Sequence, residues 1–182
     1  MMVKRNLFEE LVEIGNSIKS EYEQQGASWK GSPFEWLLTL RSRSVGAIGE
    51  RLVEGLLVKE GFVVRRPKRK SGCDRICSTP SSEKQIRLEI KFSTLWETQQ
   101  YVFQQIRDQE YDVCFCLGIS PWIAHAWAVP KPVIWENATG QHTGDKAKDT
   151  KWVHVNPDEP PEWMREYGGE LEQAIQILRG YL

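Results

Sequence analysis

Residues 85–92, QIRLEIKF, alternate apolar and charged side chains. In an extended strand this parity puts Ile86, Leu88 and Ile90 on one face and Arg87, Glu89 and Lys91 on the other. Any half-exposed strand can alternate in this way, so Glu-x-Lys alone says little. Asp74 adds weight: it lies fifteen residues upstream, opens a second strand-like segment and follows the turn-forming pair Ser71-Gly72. If the two strands pair, Asp74 comes beside Glu89. Two carboxylates at that distance repel each other unless a cation sits between them. An all-oxygen site suits Mg²⁺, with Mn²⁺ as a substitute. Lys91 beside it could orient or deprotonate an attacking water and stabilise a pentavalent phosphate.

A third acid comes from the helical stretch before these strands. In GAIGERLVEGLLVKEGF, Glu50 stands among the small residues Gly46, Ala47 and Gly49, which allow another backbone to approach closely. Glu54, one turn later, shares that face approximately and remains a rival.

The order Glu50, Asp74, Glu89-Ile90-Lys91 resembles the PD-(D/E)xK nuclease superfamily of restriction endonucleases and Holliday junction resolvases. The segment from Gly49-Glu50 through Gly61-Phe62-Val63-Val64 to Arg66 resembles the helix and first strand of that core. Gly72-Cys73-Asp74 stands where the family often has Pro-Asp. The resemblance covers residues 45 to about 118. It departs from the family in placing Cys73 where proline is common, and it has no clear Gln-x₃-Tyr motif after Lys91. It implies Mg²⁺ held by Asp74, Glu89, a backbone carbonyl near Ile90 and Glu50, and water attack leaving a 5′-phosphate and a 3′-hydroxyl. The implied activity is endonucleolytic cleavage of DNA phosphodiesters. A type II restriction-like enzyme on double-stranded DNA comes first, because the chain exceeds a minimal resolvase core. A structure-specific resolvase or repair nuclease is the alternative, as is an inactive DNA-binding subunit of the same fold. A homodimer or a nuclease partner subunit is compatible with the pattern.

The remaining residues must position and serve these groups. Residues 4–24 carry Leu7, Leu11, Ile14 and Ile18 at helical spacing, and after a Gly/Ser/Pro break a second helical stretch begins near Pro33. The helix holding Glu50 has Gly61 as its stop. Short strands follow at residues 62–64, 73–77 and 85–92. Val102, Phe103 and Ile106 predict a helix over 98–109. Residues 112–117, DVCFCL, read as a strand buried on both faces, residues 123–129 as another strand, 137–150 as a polar loop and 169–182 as a closing helix. The expected fold is α/β in the broad sense, a central mixed sheet flanked by helices with a restriction-endonuclease-like core. It forms one domain over 1–182: an N-terminal helical extension over 1–42, the core over 43–130, and a C-terminal loop and helix over 131–182.

Lys and Arg total 24 against 25 Asp and Glu, a net charge of −1, so DNA must be met by local basic surface. Arg65, Arg66, Lys68, Arg69 and Lys70 cluster just before Asp74 and suit phosphate contact. Lys146, Lys148, Lys151 and His142 offer a second element. Gln104 or Gln105 could touch DNA, and Trp96 is the tryptophan best placed to do so. His125 reads as a sheet residue. Cys73, Cys77, Cys114 and Cys116 lack a completed zinc pattern and read as buried free thiols. No stretch approaches the roughly 18 apolar residues of a membrane span, and the N-terminus does not read as a signal peptide. The expected location is cytoplasmic, with no membrane partner.

Overall fold

The computed structural model describes residues 8, 11–16, 19, 26–68, 71–140 and 150–182. Of the stripe read in residues 4–24, Leu7 and Ile18 lie outside the described residues; Leu11 and Ile14 are helical and exposed. The stretch after Pro33 folds as a short 3₁₀ helix, Glu35–Thr39, rather than a longer α-helix.

Helix α1, Ser42–Lys59, ends where Gly61 takes a φ of +83°, a backbone state that glycine adopts without strain. Strands β1 (Val63–Arg65), β2 (Arg75–Ser78) and β3 (Ile86–Thr94) form an antiparallel meander. The chain then leaves the sheet through β4 (Tyr101–Ile106) and returns as β5 (Val113–Ile119), parallel to β3. Strand β6 (Ala124–Pro130) lies antiparallel to β5. Helix α2 (Lys131–Asn137), strands β7 (Thr139–Gly140) and β8 (Lys151–Val155), helix α3 (Glu162–Arg165), strand β9 (Gly168–Glu170) and helix α4 (Leu171–Gly180) complete the described chain. The order in the main sheet is β1-β2-β3-β5-β6-β9, and a second sheet has the order β4-β8-β7.

Residue parity divides the core in two. From β5, Val113, Phe115, Leu117 and Ile119 join Ile86, Leu88 and Ile90 of β3 against Val53 and Leu57 of α1 and Ala174, Ile175 and Leu178 of α4. From the opposite face of the main sheet, Cys114, Cys116, Trp127 and Val129 pack against Tyr101, Phe103 and Ile106 of β4 and Val153 and Val155 of β8. Strand β5 is thus covered on both sides, which is why DVCFCL reads as an unbroken apolar run. All four cysteines are buried and unpaired in disulfides.

Residues 98–109 do not form the helix that their spacing predicts; they contain β4, paired antiparallel with β8. The register shifts between Phe103 and Ile106, and Gln105 takes a φ of +56°. The extra residue of this bulge returns Ile106 to the face of Phe103 after three residues instead of two. Three-residue spacing imitates a helical stripe, and the pairing partner lies about fifty residues away, beyond any local window.

Helix α1 meets β3 at Gly49, where a Cβ would fall 2.2 Å from Cβ of Phe92. Gly55, on the same helix, has nothing within 4 Å of that position. Gly49→Ala is therefore expected to lower stability by about 1–3 kcal/mol through overpacking, while Gly55→Ala raises it by up to ~1 kcal/mol through helix propensity. Urea unfolding of the two variants checks this, and equal effects would refute the close approach.

Candidate active site

The register between β2 and β3 brings the acids together. Arg75 pairs with Leu88, so the position before it, Asp74, stands across from Glu89 and on the same face. Asp74 donates its N–H to the Leu88 carbonyl at 2.8 Å, and its Oδ2 accepts the Ile90 N–H at 2.8 Å. The carboxylate thus replaces the next ladder acceptor at the point where β2 begins. Its own backbone bond and this side-chain bond together fix its direction.

Glu89 is buried, 6% exposed, and its Oε1 lies 2.7 Å from Lys91 Nζ. Burial raises the Glu89 pKa above the ordinary glutamate range; the nearby Lys91 opposes this, and the Asp74 and Glu50 charges add to it. Arg87, the third charged residue on this face, turns to Asp112 instead, Nη2 to Oδ1 at 2.8 Å. Asp74, Glu89 and Lys91 line one small cavity of about 180 Å³ together with Ser71, Cys73, Gln105, Arg107 and Gln109. The same three residues open onto a groove of about 820 Å³ whose wall also holds Glu50, Ile90, Gln104, Gln105 and Trp96.

Both helix acids are engaged, in different ways. Arg75 is 5% exposed, directed by strand parity toward α1. Its Nε donates to Glu54 Oε2 at 2.9 Å, and its Nη1 donates to Glu50 Oε2 at 3.1 Å and to the Asp74 carbonyl at 2.7 Å. Glu50 is the acid that lines the groove with Asp74 and Glu89. Glu54 lies beside Arg75 and, at 3.7 Å, Arg66. The rivalry between the two acids thus separates into two positions.

Arg75 belongs to none of the sequence motifs. Its signal was an arginine on the apolar parity of β2, two residues before the buried Cys77, with two glutamates one turn apart on the preceding helix. Gln105 is brought to both cavities by the bulge in β4, so the polar groups at 104 and 105 come from a strand rather than a helix. Arg65, Arg66 and Lys68 are exposed at and just after the end of β1. Arg69, Lys70, His142, Lys146 and Lys148 lie outside the described residues. Lys151 belongs to β8, with its Nζ over the Trp135 ring, 4.3 Å from the centroid. His125 Nδ1 lies 2.9 Å from the Tyr101 hydroxyl, a satisfied sheet histidine. Trp96 is half-exposed at the groove.

Among the described residues, no three His, Cys, Asp or Glu side chains form a ready-made metal cluster. The donors facing the small cavity are chiefly oxygen: the Asp74 and Glu89 carboxylates with amide and hydroxyl groups around them. That set fits a hard divalent cation, which completes its shell with water.

Because the folded chain holds the Glu89 proton more tightly than the unfolded chain, stability falls as pH rises from the ordinary glutamate range through the raised folded value. Asp112, held low chiefly by its hydrogen bond from Arg87, contributes in the opposite sense: its stabilisation is lost as pH falls. In EDTA, the difference in melting temperature between the wild type and Glu89→Ala is expected to shift with pH over the Glu89 interval. A difference that stays constant across it would contradict the buried, proton-retaining carboxyl.

No protein-family model and no curated protein matches the sequence. The backbone is similar to that of a bacterial homing endonuclease, I-Ssp6803I, with a TM-score of 0.52 and 14% identity, covering 78% of this chain and 94% of that one. A Holliday junction resolvase from Archaeoglobus fulgidus, Hjc, matches with a TM-score of 0.43 and 13% identity over 72% of this chain and 95% of its own. With its six-stranded mixed sheet flanked by helices, the chain shares the fold of that homing endonuclease.

Proposed function

We propose that this chain is a metal-dependent endonuclease that hydrolyses DNA phosphodiesters, with Asp74, Glu89 and Lys91 at its centre and Glu50 at its edge. One observation carries the reading: two carboxylates and a lysine, drawn from two strands, line a single small cavity that opens onto a long groove. The likeness to a homing endonuclease in backbone supports it at the level of fold.

Asp74 and Glu89 would hold Mg²⁺ or Mn²⁺, with the Ile90 backbone as a further donor. Bound there, the cation would lower the pKa of a coordinated water and offset charge on the phosphate. Lys91, already 2.7 Å from Glu89, would orient the attacking water as an ammonium and face the non-bridging phosphate oxygens. The water oxygen would bond to phosphorus and give up a proton to solvent as the bond to O3′ breaks and O3′ takes up a proton from solvent, leaving a 5′-phosphate and a 3′-hydroxyl. Gln104 and Trp96, on the groove wall, are placed to touch the strand that carries the scissile phosphate.

A restriction-type enzyme on double-stranded DNA is the specific form we infer. Exposed Arg65, Arg66 and Lys68, continued in sequence by Arg69 and Lys70, would supply local phosphate contacts on a chain of net charge −1. Lys146 and Lys148 are assigned the same task from sequence. A cytoplasmic location, where such a substrate lies, belongs to the same inference.

Cleavage of supercoiled plasmid, linear duplex and a synthetic four-way junction, each with Mg²⁺, Mn²⁺ or EDTA, tests the reading. Metal-dependent cutting is expected, reduced by about 100-fold or more in Asp74→Ala and Lys91→Ala. Cutting confined to the junction would replace the restriction-type form with a resolvase. No metal-dependent cutting of any of the three would end the nuclease reading. For the basic cluster, Arg65→Glu/Lys68→Glu is expected to weaken duplex binding in Ca²⁺ and to flatten its salt dependence. An unchanged salt slope in a fluorescence-anisotropy titration would remove those residues from the interface.

A further inference from the structure

The turn after β4 brings a further cation, Arg107, to the cavity that Asp74, Glu89 and Lys91 line. Its backbone is braced from several sides. Ile106, just before it, is the last residue of β4 to pair with β8. The Arg107 carbonyl accepts the Gln109 N–H at 3.0 Å, and Lys131 Nζ donates to the Gln109 carbonyl. Gly72 lets the chain before β2 come close to this turn, since a Cβ there would fall 2.5 Å from the Glu110 nitrogen.

The side chain of Arg107 is exposed, and among the described residues its guanidinium has no hydrogen-bond or ion-pair partner. Acids stand nearby, but each has another cation. Asp108 is held by Lys131 at 2.8 Å, Glu110 by Arg87 at 3.5 Å and Glu89 by Lys91 at 2.7 Å. A guanidinium left open on a braced backbone presents a planar fork of donors, the geometry that matches a phosphate.

The two cavities flank the proposed reaction centre differently. Asp74, Glu89 and Lys91 line both, so a scissile phosphate held there would leave one flank of its strand in each. Of the residues lining the groove, Lys91 is the only Lys or Arg, while Leu38, Val45 and Trp96 offer apolar surface to sugars and bases. Arg107 lines the small cavity and not the groove. The charge that can meet a neighbouring phosphate therefore lies on one side only.

We propose that Arg107 binds the phosphate next to the scissile one, on the side of the small cavity, and so sets which bond of the strand reaches Asp74 and Glu89. It fixes the register of the strand and reads no base. This inference rests on the reading of Asp74, Glu89 and Lys91 as a nuclease centre.

The test begins by mapping where the wild type cuts supercoiled plasmid or, failing that, the synthetic four-way junction. The cut site is then rebuilt with a single neutral methylphosphonate at each phosphate flanking the scissile bond. Arg107→Gln is expected to melt at the wild-type temperature and to lower kcat/KM on unmodified DNA by about tenfold, chiefly through KM. Arg107→Lys, which keeps the charge, recovers part of that loss. One methylphosphonate, directly beside the scissile phosphate, costs the wild type a similar factor and costs Arg107→Gln nothing further. Additive losses at both adjacent positions, or wild-type cutting by Arg107→Gln, would overturn the inference and leave the nuclease reading intact. A melting temperature that falls together with activity in Arg107→Gln would mark a structural role and overturn it equally. A wild type that cuts no DNA would remove the nuclease centre and this inference with it.

Discussion

The site depends on one hydrogen bond between a side chain and a strand. Asp74 stands where β2 starts, and its carboxylate accepts the Ile90 N–H that a longer β2 would otherwise bind through its backbone. A backbone donor left buried and unpaired would cost about 1–3 kcal/mol, so the acid is held in place by the need to satisfy the sheet. The same bond commits one carboxylate oxygen to the protein and fixes the direction of the other. Glu89 and Lys91 then follow from strand parity alone, because β3 is clamped between β2 and β5 in a register that offers no slack. A one-residue slip would send both charges into the apolar layer under α1.

Around this bond the protein concentrates charge in a way that does not favour its own folding. Glu89 and Lys91 are both largely buried, and Arg75 is nearly inaccessible. Coulomb attraction in such pairs roughly offsets the loss of hydration, while removing one partner costs about 3–5 kcal/mol in fully buried cases. Glu50 and Glu54 are each about one-third exposed, 36% and 32%, so the lower end applies to their contacts with Arg75. The network is better understood as a device for orientation than as a source of stability. Stability comes instead from the two apolar layers, one under α1 and α4 and one under the small sheet.

Much of this was legible in the sequence, and the boundary between what was and what was not has a physical basis. Period-two alternation exposed the faces of β3, and the continuous apolar run marked β5 as a strand covered on both sides. Small residues beside Glu50 pointed to a close helix–sheet approach; of these, Gly49 bears it, against Phe92. What stayed hidden was set by partners distant in the chain. A bulge gave β4 the spacing of a helix, and only its pairing with β8 decides otherwise. Arg75 looked like one more cation before a strand, because its meaning lies in two glutamates on another element. The choice between Glu50 and Glu54 could not be made from helix register, since both face Arg75 and only the cavity separates them.

The pairing of β4 with β8 has a bearing on when the molecule becomes complete. Asp74, Glu89 and Lys91 are all present once the chain has been synthesised to the end of β6, while β8 and α4, which help to cover the two faces of the main sheet, come later. The wall of the groove that carries Val102, Gln104 and Gln105 belongs to a strand whose partner, Lys151–Val155, emerges later. Contacts between segments so far apart form late, because loop closure must come first. A nascent chain therefore carries these three charged groups before it carries the surface that shapes access to them. The last third of the protein acts as the step that finishes the groove.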